Sequence, residues 1–220
     1  MPLEMIEHRH RHFLPAAGHD LFLPLYDPLV SLLGGGRARN ELIDQANIEL
    51  GHRVLDIGCG TGTLLLQLKR RYPTLQTVGL DPDPNALRRA GNKARRARVA
   101  LQLDQGFADA LPYGNSTFDR VFSSFMFHHL EEQNRENTLQ EVARVLKPGG
   151  SFHLLDFTGG EHGSHGILGR FVHSHARLKD NTAVRILQLM RRAGFSRGEK
   201  VNDGSMLFGL LRISYYRATK

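Results

Sequence analysis

Cysteine occurs once in these 220 residues, at Cys59, which rules out an internal disulfide framework and fits a reducing compartment. No apolar run approaches the length needed to span a bilayer. The stretch MPLEMIEHRHRHFLP carries acids and has no long apolar core. It does not read as a signal peptide, and the cytoplasm is the expected location. Neither an internal repeat nor a linker sets off a second domain. A single domain over 1–220 with one well-buried core is the expectation at this length.

Positive charge is present in excess. Lys and Arg number 29 against 22 Asp and Glu, a formal charge of +7. Lys69, Arg70, Arg71, Arg88, Arg89, Lys93, Arg95, Arg96 and Arg98 crowd one stretch. Such a cluster could attract nucleic acid, an anionic substrate or an acidic membrane surface. Its one aromatic residue, Tyr72, does not supply the interleaved stacking that a single-strand binder requires, which argues against nucleic acid. The plainer reading is the wet faces and last turns of two helices, where cations suit the helix dipole.

Apolar spacing predicts a helix over 37–50 and then an alternation of strands and helices. Strands are expected at Val54–Ile57, Thr77–Leu80, Val99–Leu103, Phe118–Ser123 and Ser151–Asp156, and late ones at Gly198–Val201 and Met206–Arg217. Helices are expected at Thr61–Arg71, Pro84–Arg98, Glu132–Leu146 (stopped by Pro148-Gly149-Gly150) and Asp180–Ala193. Alternation at this spacing means βαβ units and a mostly parallel, doubly wound α/β sheet. Residues 1–36 read as a cap segment, 37–157 as the binding core, 158–180 as a glycine-rich, lid-like insertion, and 181–220 as a closing helix and strands.

The informative stretch is Val54-Leu55-Asp56-Ile57-Gly58-Cys59-Gly60-Thr61-Gly62. A buried strand runs into three glycines and then a helix, so a ligand can lie against the loop backbone at the strand's carboxyl end. The nicotinamide pattern G-x-G-x-x-G would need glycine at position 63, where Thr63 stands. Asp56 sits inside the strand end, placed to hold a polar ligand group or the loop itself. Asp81 ends the next apolar run. It can accept the hydroxyls of a ribose lying across the two strand ends, or cap the helix before Pro84, although Asp83 is better placed for capping.

VLDIGCGTG, VGLDPDPNAL, ALPYGNSTFDRVFSSFMFHHL and ARVLKPGGSFHLLDF follow in order, and the ending runs AGF to YYRATK. In this order and spacing the chain resembles the class I S-adenosylmethionine-dependent methyltransferases, in particular the branch with quinone-biosynthesis C-methyltransferases and other small-molecule enzymes. The resemblance covers about residues 40–157. It implies a Rossmann-like seven-stranded sheet whose last strand is antiparallel, with S-adenosylmethionine as cofactor and S-adenosylhomocysteine as product. By the same resemblance Gly58, Cys59, Gly60 and Gly62 line the methionine and ribose, with Asp56 near the amino group. Asp81 holds the ribose hydroxyls and Pro82 packs by the adenine. Family members often carry an acid directly after the glycine of the third strand. Here Phe107 and Ala108 intervene before Asp109, so either the backbone with Asp109 meets the adenine or the loop register differs. Ser123, Ser124 and Phe125 are expected to face the methionine end.

The acceptor is less legible. Ser123-Ser124-Phe125-Met126 replaces the Asn/Asp-Pro-Pro-aromatic tetrad of enzymes that methylate nucleobase amino groups, leaving a small-molecule acceptor as the expectation. His128 and His129 are the candidate bases, against an ordinary role in packing or a helix start. His8, His10 and His12 alternate along an Arg-rich tail that could bind metal only adventitiously, and His162, His165, His173 and His175 lack the spacing and company of a metal site. The lid-like insertion, Tyr26 and the N-terminal segment are expected to form the acceptor pocket. Two other classes stand beside the enzyme: a non-catalytic cofactor-binding or regulatory protein, and a nicotinamide oxidoreductase.

Overall fold

The structure is a computed structural model that describes residues 34–158, 181–207 and 209–220. Residues 1–33 of the expected cap, with Tyr26, and residues 159–180 of the expected lid, with the histidines of both, lie outside the described residues.

Apolar strands placed side by side satisfy their backbone by pairing. The described residues form one seven-stranded sheet in the order β3-β2-β1-β4-β5-β7-β6. Its strands are β1 (Arg53–Ile57), β2 (Gln76–Asp81), β3 (Gln102–Gln105), β4 (Phe118–Ser124), β5 (Leu146–Phe157), β6 (Arg197–Met206) and β7 (Leu211–Thr219). β1 pairs in parallel with both β2 and β4, whereas β7 is antiparallel to β5 and β6. The strand order therefore reverses at β1, the point where open α/β sheets take a ligand outside the strands' carboxyl ends.

Side chains alternate across each strand, which gives the sheet two cores. Leu55 and Ile57 pack with Leu139 and Val142 of α4 (Glu132–Val145) and with Ile186 and Met190 of α5 (Ala183–Arg192). Val54, Phe122 and Leu155 face the other way. They meet Ala38 and Leu42 of α1 (Gly36–Asp44) and Leu64, Leu65 and Leu68 of α2 (Thr63–Arg71). α3 (Pro84–Ala97) buries Ala86, Ala90 and Ala94, one small residue every fourth position, and lies close to the sheet. Asp83 caps it by accepting from the Asn85 amide at 2.8 Å, with Pro84 in the first turn. Of the charged stretch, Lys69, Arg70 and Arg71 end α2 and Arg95 and Arg96 end α3, and Arg70, Arg88, Arg95 and Arg96 are exposed, as the plainer reading expects, whereas Lys93 Nζ donates to the Thr61 and Thr63 hydroxyls at 2.9 and 3.0 Å.

Several boundaries differ from expectation, each for a non-local reason. The first helix stops at Asp44 rather than Leu50, and α2 begins at Thr63 because Gly62, at φ +74°, turns the chain into it. β3 starts at Gln102, not Val99: Arg98 caps α3 at φ +57°, and the Val99 amide still donates to the Ala94 carbonyl. Pro148-Gly149-Gly150 does not delay β5 until Ser151. Leu146 already pairs with Phe118, and the Lys220 amide donates to the Gly150 carbonyl. The last helix spans Ala183–Arg192, inside the expected 180–193. β6 runs to Met206 through a register shift between Lys200 and Asn202, and β7 begins at Leu211.

Candidate active site

The three glycines of the loop are needed for different reasons. All have positive φ: +66° at Gly58, +52° at Gly60 and +74° at Gly62. A Cβ on Gly58 would come within 2.3 Å of Met126 Cγ, so the turn after β4 presses directly on the loop. A Cβ on Gly62 would meet Ala90 Cβ at 2.9 Å, so the helix start abuts α3. At Gly60 a Cβ would meet nothing within 4 Å. The middle of the loop is the part open to a ligand.

The loop is held from β2. The Gly58 and Cys59 amides both donate to the Leu80 carbonyl, at 2.8 and 3.0 Å. The Gly60 amide donates to Asp81 Oδ2 at 2.8 Å, and Asp81 Oδ1 accepts from the Asp83 amide at 2.9 Å. The Gly106 amide donates to the Asp81 carbonyl at 3.2 Å, which draws the loop with Phe107, Ala108 and Asp109 to the same end of the sheet. Those three residues and Pro82 are half-buried. Burial raises the Asp81 carboxyl, and the amides of Asp83 and Gly60 oppose that rise. The Cys59 sulfur would lie 2.8 Å from a Cβ on Gly79, and burial pushes its thiol well above the usual range, the opposite of an activated nucleophile.

Asp56 is the outlier. It is 1% exposed, and neither carboxylate oxygen has a hydrogen-bond partner among the described residues. Desolvation lifts its carboxyl to about 8, with Arg39 of α1 pulling down and Asp81 pushing up. A buried carboxylate without donors is costly unless something cationic completes it. This cradle of an unpaired acid, open glycine backbone and a second acid suits the ammonium and ribose of an aminoacyl nucleoside.

Residues after β4 form the neighbouring wall. Strand alternation separates two of the expected contacts: Ser124 lies on the α1 side, where Arg39 Nε donates to its hydroxyl at 3.4 Å. Ser123 is wholly buried on the opposite side. Phe125 has φ +58°, an uncommon backbone state for a bulky residue, with the Arg39 guanidinium 5.2 Å from its ring centre. It packs on Phe157 at 5.0 Å between ring centres. His128 and His129 follow in a 3₁₀ turn, Phe127–His129. Asp156 of β5, fully buried, accepts from the His128 amide at 2.7 Å and meets its ring Nδ1 at 2.6 Å.

Arg39, Met126 and Asp156 escape sequence reasoning. Asp156 carries the signal that singles out Asp56 and Asp81, an acid closing an apolar strand, but only the fold brings it to His128.

A methyltransferase domain family matches residues 54–150. The demethylmenaquinone methyltransferase of Thermus thermophilus is 36% identical over 150 residues, 67% of this chain and 67% of that protein. The chain belongs to the class I S-adenosylmethionine-dependent methyltransferases. The Deinococcus radiodurans demethylmenaquinone methyltransferase is 35% identical over 155 residues, 69% of this chain and 64% of that one. The methyltransferase thus spans about two thirds of the length of these curated relatives. Phosphoethanolamine N-methyltransferase 2 of Haemonchus contortus, solved with S-adenosylmethionine, superposes with a TM-score of 0.77 at 18% identity. That match covers 93% of this chain and 58% of the other, and it reports on the fold.

Proposed function

We propose that this methyltransferase transfers the methyl group of S-adenosylmethionine to a small-molecule acceptor. The observation that carries the reading is Asp56, buried and without a hydrogen-bond partner among the described residues, at the end of the strand that opens into the loop with Gly60. Asp56 answers the ammonium of the methionine part, and the free lone pairs of Asp81 answer the ribose hydroxyls. Gly58, Cys59 and Gly62 shape the loop, while Pro82, Phe107, Ala108 and Asp109 flank the adenine. Ser124 and Phe125 border the methionine end, and Ser123 serves the strand from the far face. The sulfonium supplies an activated methyl group, so the protein's task is to orient the acceptor for in-line attack and keep water out. Relatives named for demethylmenaquinone favour an aromatic acceptor of the quinone-precursor type. Among the described residues no helix is long and apolar enough to cross a membrane, and the lone buried Cys59 suits a reducing cytoplasm.

Incubation of the full chain with methyl-labelled donor and pools of small aromatic acceptors, quinone precursors included, tests the reading. Label is expected in a low-molecular-weight product, with S-adenosylhomocysteine released in equal amount. S-adenosylhomocysteine binding without transfer to any acceptor would favour the non-catalytic reading instead.

A further inference from the structure

A cavity of about 190 Å³ lies at the end of the sheet away from the glycine loop, lined on one side by Gln45, Ala46 and Asn47, which follow α1. Arg120 of its lining pairs with Val54 near the start of β1, whereas the glycine loop follows Ile57. The other side of the cavity is one face of four neighbouring strands. Arg120 of β4 stands opposite Ser151 of β5, His153 opposite Arg217 of β7, and Arg217 opposite Glu199 of β6. Alternation puts Ser151 with His153, and Arg197 with Glu199, on that same face. Three guanidinium groups thus meet one carboxylate, and the lining carries positive charge in excess. Glu199 is already engaged: Arg217 Nε donates to its Oε1 at 2.9 Å and Arg197 Nη2 to its Oε2 at 2.8 Å. Arg120 meets only uncharged acceptors, the carbonyls of Ala46, Asp119 and Asn47, at 2.6, 2.9 and 3.0 Å. The Asp119 carboxylate beside it is held by Lys147 Nζ at 2.8 Å.

His153, wholly buried, is left incomplete in this lining. Its ring stacks on Phe122 at 5.3 Å between centres, and Nε2 lies 2.9 Å from the Ser151 hydroxyl oxygen. Nδ1 has no hydrogen-bond partner among the described residues, and neither has the Gln45 amide oxygen across the cavity. Burial, reinforced by Arg120 and Arg217, holds the imidazole down at about 3, so the ring is neutral. With the Ser151 hydroxyl donating to Nε2, Nδ1 keeps the ring hydrogen as an unspent donor. A buried donor set between cations is completed by the oxygen of an anion.

We infer that this cavity binds a dianionic tetrahedral oxyanion, a phosphate or phosphate monoester, through Arg120, Arg217 and His153, at a site separate from that of the cofactor. The two arginines approach from the strands on either side of β5, and His153 from β5 between them. Three N–H groups of Arg120 are spent on carbonyls, and two remain for the ligand. Guanidinium groups match phosphate oxygens in geometry, and a dianion balances charge that a monocarboxylate leaves over.

The test is calorimetry of the full chain at pH 7.5 with inorganic phosphate, phenyl phosphate and acetate, at constant ionic strength set by chloride. The expected result is saturable binding of one phosphate group per chain, with acetate at least about tenfold weaker. Tighter binding of phenyl phosphate marks an ester as the ligand, and binding of inorganic phosphate alone marks the free ion. Arg120→Gln and Arg217→Gln should each lower affinity by about tenfold or more, one charge-assisted hydrogen bond's worth. Arg96→Gln, at an exposed cation of α3, should leave it unchanged. Circular dichroism and thermal melts separate lost binding from lost folding. With histidine labelled by nitrogen-15, the His153 Nδ1 resonance, assigned by its loss in His153→Gln, should move with phosphate in the unaltered chain. That shift decides the matter if either arginine variant unfolds. No saturable binding, acetate held as tightly as phosphate, affinity lost equally in Arg96→Gln, or an unresponsive His153 overturns the proposal.

Discussion

Asp56→Asn is expected to stabilise the ligand-free methyltransferase at pH 8 and to weaken its cofactor binding by about two powers of ten. The acid is wholly buried and titrates at about 8, against an ordinary value of 3.8. Because the folded pKa is raised, the folded chain holds a proton that the unfolded chain has released throughout the window from about 4 to about 8. Stability from this residue is therefore fully present below pH 4 and falls as pH rises towards 8. The full shift corresponds to an effect on the order of 5 kcal/mol, and asparagine, which has no proton to lose, escapes it. Thermal melts of both proteins at pH 4.5 and pH 8 measure the effect. The variant should gain on the parent only at the higher pH, by about 2–4 °C for each kcal/mol at this chain length. Binding of the cofactor's ammonium should return Asp56 to its carboxylate at pH 7, with release of about one proton per site. Calorimetry in two buffers of different ionisation enthalpy counts that proton. Equal melts at both pH values and no proton release would remove Asp56 from the site.

Asp81→Ala is the second large effect. Asp81 ties Gly60 and Asp83 to the end of β2 while keeping lone pairs for ribose hydroxyls. Its loss should lower S-adenosylhomocysteine affinity by one to two powers of ten, with an added stability cost of about 1–3 kcal/mol for the two amides left without an acceptor. Asp83→Ala is the matched control. Asp83 caps α3 through the Asn85 amide, so its removal should cost about 1 kcal/mol of stability and little affinity. Titration of both variants, with circular dichroism to confirm folding, separates the roles. Affinity lost in Asp83→Ala but kept in Asp81→Ala would mean the ribose lies elsewhere.

What the sequence made legible was what is set locally. β1 and its glycine loop, the helix opened by Pro84 and its cap at Asp83 all follow from spacing and residue type. The seven-stranded sheet with an antiparallel last strand came through the family resemblance, and the antiparallel pairing of β7 with both β5 and β6 bears it out. Partners distant in sequence governed the rest. Pro148-Gly149-Gly150 reads as a break until Phe118 and Lys220 are seen pairing with that segment. β6 was expected only over Gly198–Val201; its continuation from Asn202 to Ser205 is a mostly exposed, polar edge past the register shift, with no apolar alternation to announce it. In the site, the acids closing β1 and β2 were readable beside their motifs. Asp156 closes β5 in the same way, and its meaning appears only once the fold sets it against His128.

The most direct measurement of the central claim is calorimetry of the full chain with S-adenosylmethionine, S-adenosylhomocysteine and NADH at pH 7. Saturable binding of the sulfonium donor and its thioether product at one site per chain, and no heat from NADH, is the expected result. Thr63 stands where the dinucleotide pattern needs glycine, and the role proposed for Asp56 is to meet an ammonium that NADH does not have. Saturable NADH binding, with no binding of either sulfur compound, would contradict the account at its root.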